Sequence, residues 1–538
     1  MKSLTKVIYA LAAALFWLTT AQAQVANGYS VSLEPLSIAG FSGLQSYAKA
    51  QYQDKLLLIG GRTDGLHRRQ PFATFAASDN NTNIIVIAPA TQQIWQTSIN
   101  ILPNNLKEQL QSTNMQFIQR GNTLYLMGGY GFSATANDHV TYDKLTAVDI
   151  PNLMAAVQNG SSITPYFRQI ANPVFTLTGG QLGRIDSTFY IVGGQKFDGR
   201  YNPMGPTHGP GFSQEYSNQI RRFKIQDDGA SLRIYDVSAT TDSVNLHRRD
   251  YNMLPQIFSG NKAGFTAFSG VFQANIDLPY LNSVDIFPTN HTVNNSFTQY
   301  LNHYHSAKLA LFDSVNQKME NIFFGGISQY YDSLGVIVQD NNVPFTKSIA
   351  NVSRNAAGTM TETLIGQMPD YLGAGAEFFV HPQVPVYENE IIKSHQLSGN
   401  NILLGYIVGG IRSSEKNIFW TNTGAESDAA GTIYKVFLKK TVSATENTPI
   451  PQHSAISQLQ IFPNPSNGHF RLRYWLSKPI QYTLNITDEK GRLIKTKKIS
   501  ATTVGEQIED LNFQVAVGVY FITIQAEKEV LTRKIIVD

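Results

Sequence analysis

The chain has 538 residues and a formal net charge of +3. That near-neutral balance leaves no electrostatic case for nucleic acid or an anionic membrane surface as partner. There is no cysteine, which excludes disulfides, thiolate nucleophiles, thiolate metal sites and tyrosine–cysteine radical cofactors.

Hydrophobic residues make up 42% of the chain, as in a globular protein, and the length exceeds one ordinary core. Gly, Asn, Tyr and Phe are plentiful and long helical periodicity is scarce, which points to an all-β chain rich in turns.

The N-terminus reads "MKSLTK", "VIYALAAALFWLTT", "AQAQ". A basic segment, an apolar stretch and a small-residue site predict a signal peptide over residues 1–23, with Ala21 and Ala23 as the small residues and cleavage after Ala23. The apolar stretch is short for a bilayer span of about 20 residues. No later segment is long and apolar enough to cross a membrane.

From 24 to 440 one phrase recurs: "LLLIGGR" at 56–62, "LYLMGGY" at 124–130, "FYIVGGQ" at 189–195, "NIFFGGI" at 321–327 and "GYIVGGI" at 405–411. A degenerate copy, "GFTAFSGVF" at 264–272, carries Ser269–Gly270 in place of the glycine pair. The steps from Gly61 to Gly129, Gly194, Gly270, Gly326 and Gly410 are 68, 65, 76, 56 and 84 residues. A constant phrase with variable steps predicts one structural unit carrying variable loops. The apolar run suits a strand buried on both faces, and the glycines suit a strand end that passes close to a neighbour or takes positive φ.

After the first pair come "NIIVIAPATQQIW", ending at Trp95, and after the second "LTAVDIP", Leu145 to Pro151. Apolar strand, Gly-Gly, a later strand, Pro and Trp together resemble a kelch motif. The resemblance implies a kelch-like β-propeller, with six copies giving six blades of four strands and the irregular steps leaving five or seven open. On that reading "QSYAKAQYQ" and "HYHSAKLALF" are first strands, and "YSVSLEPLSI" pairs with "GTIYKVFLKK" to close the last blade.

In an up-and-down blade the loop after strand two and the connection into strand one share a face. "LHRR" occurs at 66–69 and at 246–249, once in each kind of place. Arg62, His67, Arg68 and Arg69 are therefore expected at one mouth with Arg248, Arg249 and Asp250, where Arg forks hold carboxylates or other oxyanions. The competing reading is salt bridges to Asp64 or Asp250 that hold the loops. His303 and His305 are two apart and expected on one side of a strand, with Glu377 in a similar place in the next unit. Asp250, His303, His305 and Glu377 are the residue types for acid–base chemistry. No metal set, calcium loop, nucleotide loop or other cofactor signature is read, and none is expected.

"TVSATENTPIPQHSAIS" marks a linker over 441–456. Residues 457–538 carry short alternating strands, as in a small Ig-like sandwich. Within them "FPNPSNG" (Pro463, Asn464, Pro465, Gly468), "DEKG" (Asp488, Gly491), "GVYFI" (Gly518, Tyr520) and "KIIV" (Lys534) appear in order. These blocks resemble the type A C-terminal sorting domain of the type IX (Por) secretion system. The resemblance implies the type IX machinery as partner, passage through the periplasm, and release from or attachment to the outer surface of a Gram-negative cell.

The expected function is a glycan- or protein-binding surface protein. The alternatives are a carbohydrate-active enzyme of epimerase, lyase or hydrolase type acting on an anionic sugar, and a structural spacer. Deleting 457–538 is expected to leave the protein in the periplasm; surface display of the truncated chain, read by cell fractionation, would refute the sorting assignment.

Overall fold

The computed structural model describes residues 29–440 except 208 and 334, and residues 456–538 except 477, 502, 504, 513–514 and 527–528. The expected signal segment and all but the last residue of the expected linker lie outside the described residues.

The first 412 positions of that range fold into six four-stranded antiparallel sheets, each of neighbouring strands. The first contains Ala48–Tyr52, Lys55–Ile59, Asn83–Ala88 and Gln93–Ser98. The second contains Gln116–Arg120, Thr123–Met127, Lys144–Asp149 and Phe167–Ala171. The third contains Gln181–Ile185, Thr188–Val192, Gln219–Asp227 and Leu232–Thr241. The fourth contains Asn252–Phe258, Lys262–Phe268, Ser283–Ile286 and His291–Asn294. The fifth contains Ala307–Asp313, Lys318–Phe324, Ser348–Arg354 and Met360–Gln367, with a short parallel strand, Ile392–Lys393, on its edge. The sixth takes Glu377–Val380, Asn401–Val408 and Thr432–Lys440 from the end of the range and Tyr29–Ser37 from its start. Tyr29 faces Lys440 and Ser37 faces Thr432, the pairing expected from sequence.

The apolar phrase of each unit is the second strand of its sheet, and its residues are buried alternately on two sides. Leu57 and Ile59 pack with Val86 against Leu124, Leu126 and Val148 of the second sheet. Leu56 and Leu58 pack with Ile85 and Ile87 against Phe379, Val408 and Ile433 of the sixth. The same kind of interface joins sheets two and three, three and four, four and five, and five and six. A strand clamped between two sheets has no polar face, so it reads as a continuous apolar run. With no cysteine to cross-link the chain, these six interfaces supply its stability, at roughly 1.5–3 kcal/mol for each large apolar side chain buried.

Both residues of every pair are left-handed: Gly60 and Gly61 have φ of 71° and 82°, Gly128 and Gly129 62° and 96°, and the degenerate Ser269 and Gly270 51° and 111°. The reason is a repeated contact. In five of the six pairs the second glycine donates its N–H to a carbonyl just before the next sheet: Gly61 to Ser112, Gly129 to Leu177, Gly194 to Arg248, Gly326 to Leu372, and Gly410 back to Leu44. A Cβ on Gly128 would lie 2.0 Å from the Leu177 oxygen, and one on Gly409 2.0 Å from that of Leu44.

A second set of bonds runs closer to the axis. Asn114 N–H donates to Ser46 O at 3.0 Å, Gly179 to Asn114 at 3.2 Å, Asp250 to Gly179 at 2.7 Å and His305 to Asp250 at 2.8 Å. Gly375 donates to His305 at 3.0 Å, and Ser46 closes the cycle by donating to Gly375 at 2.8 Å. Each sheet contributes one residue, just ahead of its first strand. Five of the six have positive φ: Ser46, Asn114, Gly179, Asp250 and Gly375. Past this ring, the first strands of successive sheets touch in order from the first to the sixth.

Residues 456–538 form a three-stranded sheet (Ile456–Phe462, His469–Leu476, Gly505–Asn512) and a four-stranded one (Leu493–Ala501, Ile480–Asp488, Gly518–Ala526, Glu529–Val537). Alternate residues Phe470, Leu472, Tyr474 and Leu476 meet Tyr482, Leu484 and Ile486 in one core. The conspicuous motif is a clamp. Asn464 donates through Nδ2 to Lys534 O and accepts from Ile536 N–H, both at 2.9 Å, and so holds the last strand.

Ala at position 128 meets both positive φ and the Leu177 carbonyl, whereas Gly121 has positive φ with open space. Gly128→Ala is expected to cost about 2 kcal/mol more than Gly121→Ala in chemical denaturation. Equal losses would show that the close approach does not hold the sheets.

Candidate functional site

On the loop side of the ring the six sheets enclose a cavity of about 480 Å³, lined from every sheet. Its wall is aromatic. Phe75 meets Tyr130 edge-on with ring centroids 5.3 Å apart, Tyr130 meets Phe197 at 5.3 Å, and His67 meets Tyr201 at 4.8 Å. Main-chain contacts fix these rings: Tyr130 Oη donates to Gly199 O at 2.8 Å and accepts from Tyr201 N–H at 3.2 Å. Phe272, Tyr304, Phe419 and Trp420 line the rest. Trp420 stands at the rim, 61% exposed.

Two guanidinium groups reach the cavity, in different states. Arg62 is buried and committed. Its Nε and Nη2 grip the two Asp64 oxygens, each at 2.8 Å, and Nη1 donates to Asn80 Oδ1 at 2.8 Å. This fork holds the loop that follows the first glycine pair. Arg249 lies over the Phe272 ring at 5.2 Å, donates through Nε to Tyr216 Oη at 3.0 Å and pairs through Nη1 with Asp250. Its Nη2 has no hydrogen-bond partner among the described residues. Burial works against the Arg249 charge, but the Asp250 carboxylate outweighs it and holds the pKa above the ordinary arginine value.

The other expected residues separate. His67 lines the cavity and is neutral, since burial, reinforced by the Arg249 charge, pushes its pKa down to about 4. Arg68 and Arg69 lie outside the cavity lining, and Arg69 is exposed. Arg248 does not reach the mouth. It is 1% exposed, stacked on Tyr280 at 4.0 Å, and donates to the carbonyls of Asn245, Ser269 and Asn282. Burial lowers its pKa to about 10. It is a buried pin that ties together the connections at one end of the fourth sheet.

His303 and His305 do not share one side of a strand. Both precede the strand Ala307–Asp313, and Asn302 before them has a φ of 54°, so the two-residue alternation does not apply. His303 is fully buried; its Nδ1 accepts from Gln329 N–H at 3.1 Å, which leaves Nε2 as the donor to Gln299 O at 2.9 Å. His305 stands on the ring and pairs Nε2 with Glu377 Oε1 at 2.8 Å. Glu377 lies beyond the ring, outside the mouth cavity. The acid–base set read from sequence is thus divided: Asp250 in the mouth, His303 sealed, Glu377 on the far side. Sequence reasoning missed Tyr130, Tyr201, Phe272, Tyr304 and Trp420 as individual residues. For four of them the signal was the aromatic content of the loops after the glycine pairs; Tyr304 lies instead in the connection into the strand Ala307–Asp313.

Among the described residues no three His, Asp or Glu side chains gather as a metal set, and no helix is long and apolar enough to cross a membrane.

Residues 460–538 match the family model described as "Secretion system C-terminal sorting domain". That tail is a sorting domain, and it supports export through the type IX machinery. No curated protein matches the chain. Among solved structures, "Structure of YjhT" is 11% identical with a TM-score of 0.40, covering 77% of this chain and 99% of that one. A fungal alcohol oxidase in complex with copper is 9% identical with a TM-score of 0.34, covering 95% and 100%.

His303, like His67, has its pKa lowered to about 4. The unfolded chain takes up these protons near pH 6.5 and the folded one resists until about pH 4, so stability falls as pH falls through that window. In urea titrations, His303→Gln is expected to lessen this slope by about 1.4 kcal/mol per pH unit near pH 5. An unchanged slope would contradict the burial of a neutral imidazole.

Proposed function

We propose that this chain is a secreted or cell-surface glycan-binding protein. Residues 24–440 form a kelch-like propeller of six blades whose mouth holds the ligand. Residues 457–538 direct type IX export to the outer surface of a Gram-negative cell, where the product is released or attached. Support for the propeller comes from the six four-stranded sheets, the six apolar interfaces that lead from the sixth sheet back to the first, and the ring of hydrogen bonds.

One observation carries the glycan reading: the mouth cavity combines an aromatic wall with a guanidinium that has a free donor. Phe75, Tyr130, Tyr201 and the exposed Trp420 present flat faces and edges on which the CH faces of sugar rings pack. Arg249 Nη2 and the Asp250 carboxylate supply a donor and an acceptor for hydroxyl or carboxylate groups at the cavity floor. A cavity of this size suits a small ligand or the end of a chain. The catalytic alternative finds less support, because His303 is sealed and Glu377, the carboxylate that pairs with His305, lies outside the mouth cavity.

On a glycan array the wild type is expected to bind a defined subset. Trp420→Ala and Arg249→Lys, the latter keeping the charge beside Asp250 but removing the planar fork, are each expected to weaken that binding tenfold or more, about 1.4 kcal/mol. Binding that survives both changes would remove the mouth as the recognition site. Product formation from any bound glycan would restore the enzymatic reading.

A further inference from the structure

Beyond the ring lies a second cavity of about 500 Å³. It shares Ser46, Asn114 and His305 with the mouth cavity and draws mainly on the first strands after each ring residue, 49–51, 116–121, 181–184, 253–255, 308–310 and 377–380. The two cavities therefore open from opposite sides of one constriction.

Besides Arg120, which is exposed, two charged groups in its lining are incompletely used. Glu377 is 5% exposed, and its carboxylate has one side-chain hydrogen bond among the described residues, from His305 to Oε1. Lys308 Nζ has no hydrogen bond or ion pair among the described residues, yet each of the two senses the charge of the other. Burial lowers the pKa of Lys308, while for Glu377 the burial is outweighed by His305 and Lys308 and the pKa falls. A ligand carboxylate would meet the Glu377 charge and a ligand ammonium that of Lys308. A hydroxyl accepts from an ammonium and donates to a carboxylate without adding charge. Phe117, Leu182 and Phe378 supply apolar wall.

The opening is crossed by a strap. Residues 388–390 belong to the long connection between the first two strands of the sixth sheet and line the cavity. Glu388 pairs with Arg184 of the third sheet, Asn389 Nδ2 donates to Arg184 O at 3.1 Å, and Glu390 lies 3.0 Å from Lys49 of the first. The two glutamates are 66% and 46% exposed, so salt screens these pairs and they can break without unfolding the sheets, while Ile391 and Ile392 beside them stay buried.

We propose that this second cavity is a binding site, separate from the mouth, for a neutral, hydroxyl-rich ligand held between Lys308 and Glu377 beneath the 388–390 strap.

The test is titration calorimetry on the full chain with xylitol, maltose, cellobiose and trehalose as neutral probes, and glucuronate and glucosamine as charged ones. At least one neutral probe is expected to bind the wild type. Lys308→Met should weaken it at least tenfold, and so should Gln51→Trp, which fills the cavity without touching either charge and guards against a Lys308 variant that fails to fold. Glu388→Ala with Glu390→Ala should speed both association and release in stopped flow. No binding of any neutral probe, binding of the charged probes alone, binding indifferent to Lys308→Met and Gln51→Trp, or a loss in Trp420→Ala equal to that in Lys308→Met would each overturn the proposal.

Discussion

Six main-chain hydrogen bonds around one axis set the geometry on which the rest of this structure depends. Each N–H reaches the carbonyl of the sheet before it, and the bond from Ser46 to Gly375 joins the last sheet to the first. The net energy of such bonds is modest, about 0.5–1.5 kcal/mol apiece, and the apolar interfaces between sheets contribute more. The ring acts on position. It forces six chain segments to one radius, and the outer set of bonds from the glycine pairs fixes the angle at which each sheet leaves it. Positive φ at five of the six ring residues is the conformational cost of that turn.

The ring also divides the interior chemically. On the loop side, rings from several sheets converge with Arg249 and Asp250. On the strand side, Lys308 lines one cavity with the bonded pair His305 and Glu377 and with residues 388–390. His305 belongs to both halves: its main chain is a link of the ring and its side chain reaches toward Glu377. Neither cavity lies within a single sheet. Each is assembled from side chains that meet only because the sheets are held in one circuit.

Much of this architecture was legible. An apolar run such as Leu56–Ile59 ending in two glycines encodes a strand buried on both sides and a left-handed exit beneath a neighbour's carbonyl. Both requirements are local enough to leave a mark at every repeat. Even the degenerate copy keeps the conformation, with Ser269 at a φ of 51°. The ring residues escaped notice because the ring uses their main chain. Ser, Asn, Gly, Asp, His and Gly share no side-chain chemistry, only tolerance of a strained turn at most positions. The two "LHRR" copies show the limit at single-residue scale. Arg248 and Arg249 are adjacent, yet one is sealed among carbonyls of its own sheet and the other lies at the cavity floor. The spacing of His303 and His305 was misread for a related reason: alternation holds inside a strand, and Asn302 turns the chain before the strand begins.

By itself the sequence determined the strand-dominated class, the recurrence of one buried strand with its glycine exit, the pairing of the first strand with the last, and the sorting tail. These follow from periodicity, backbone conformation and contiguous motif, which are properties of neighbouring residues. Only the tertiary structure decided which charges are available to a ligand. A guanidinium or carboxylate is free or spent according to partners such as Asp64, Tyr216 and Asn282, and those partners are set by how strands and loops meet in space.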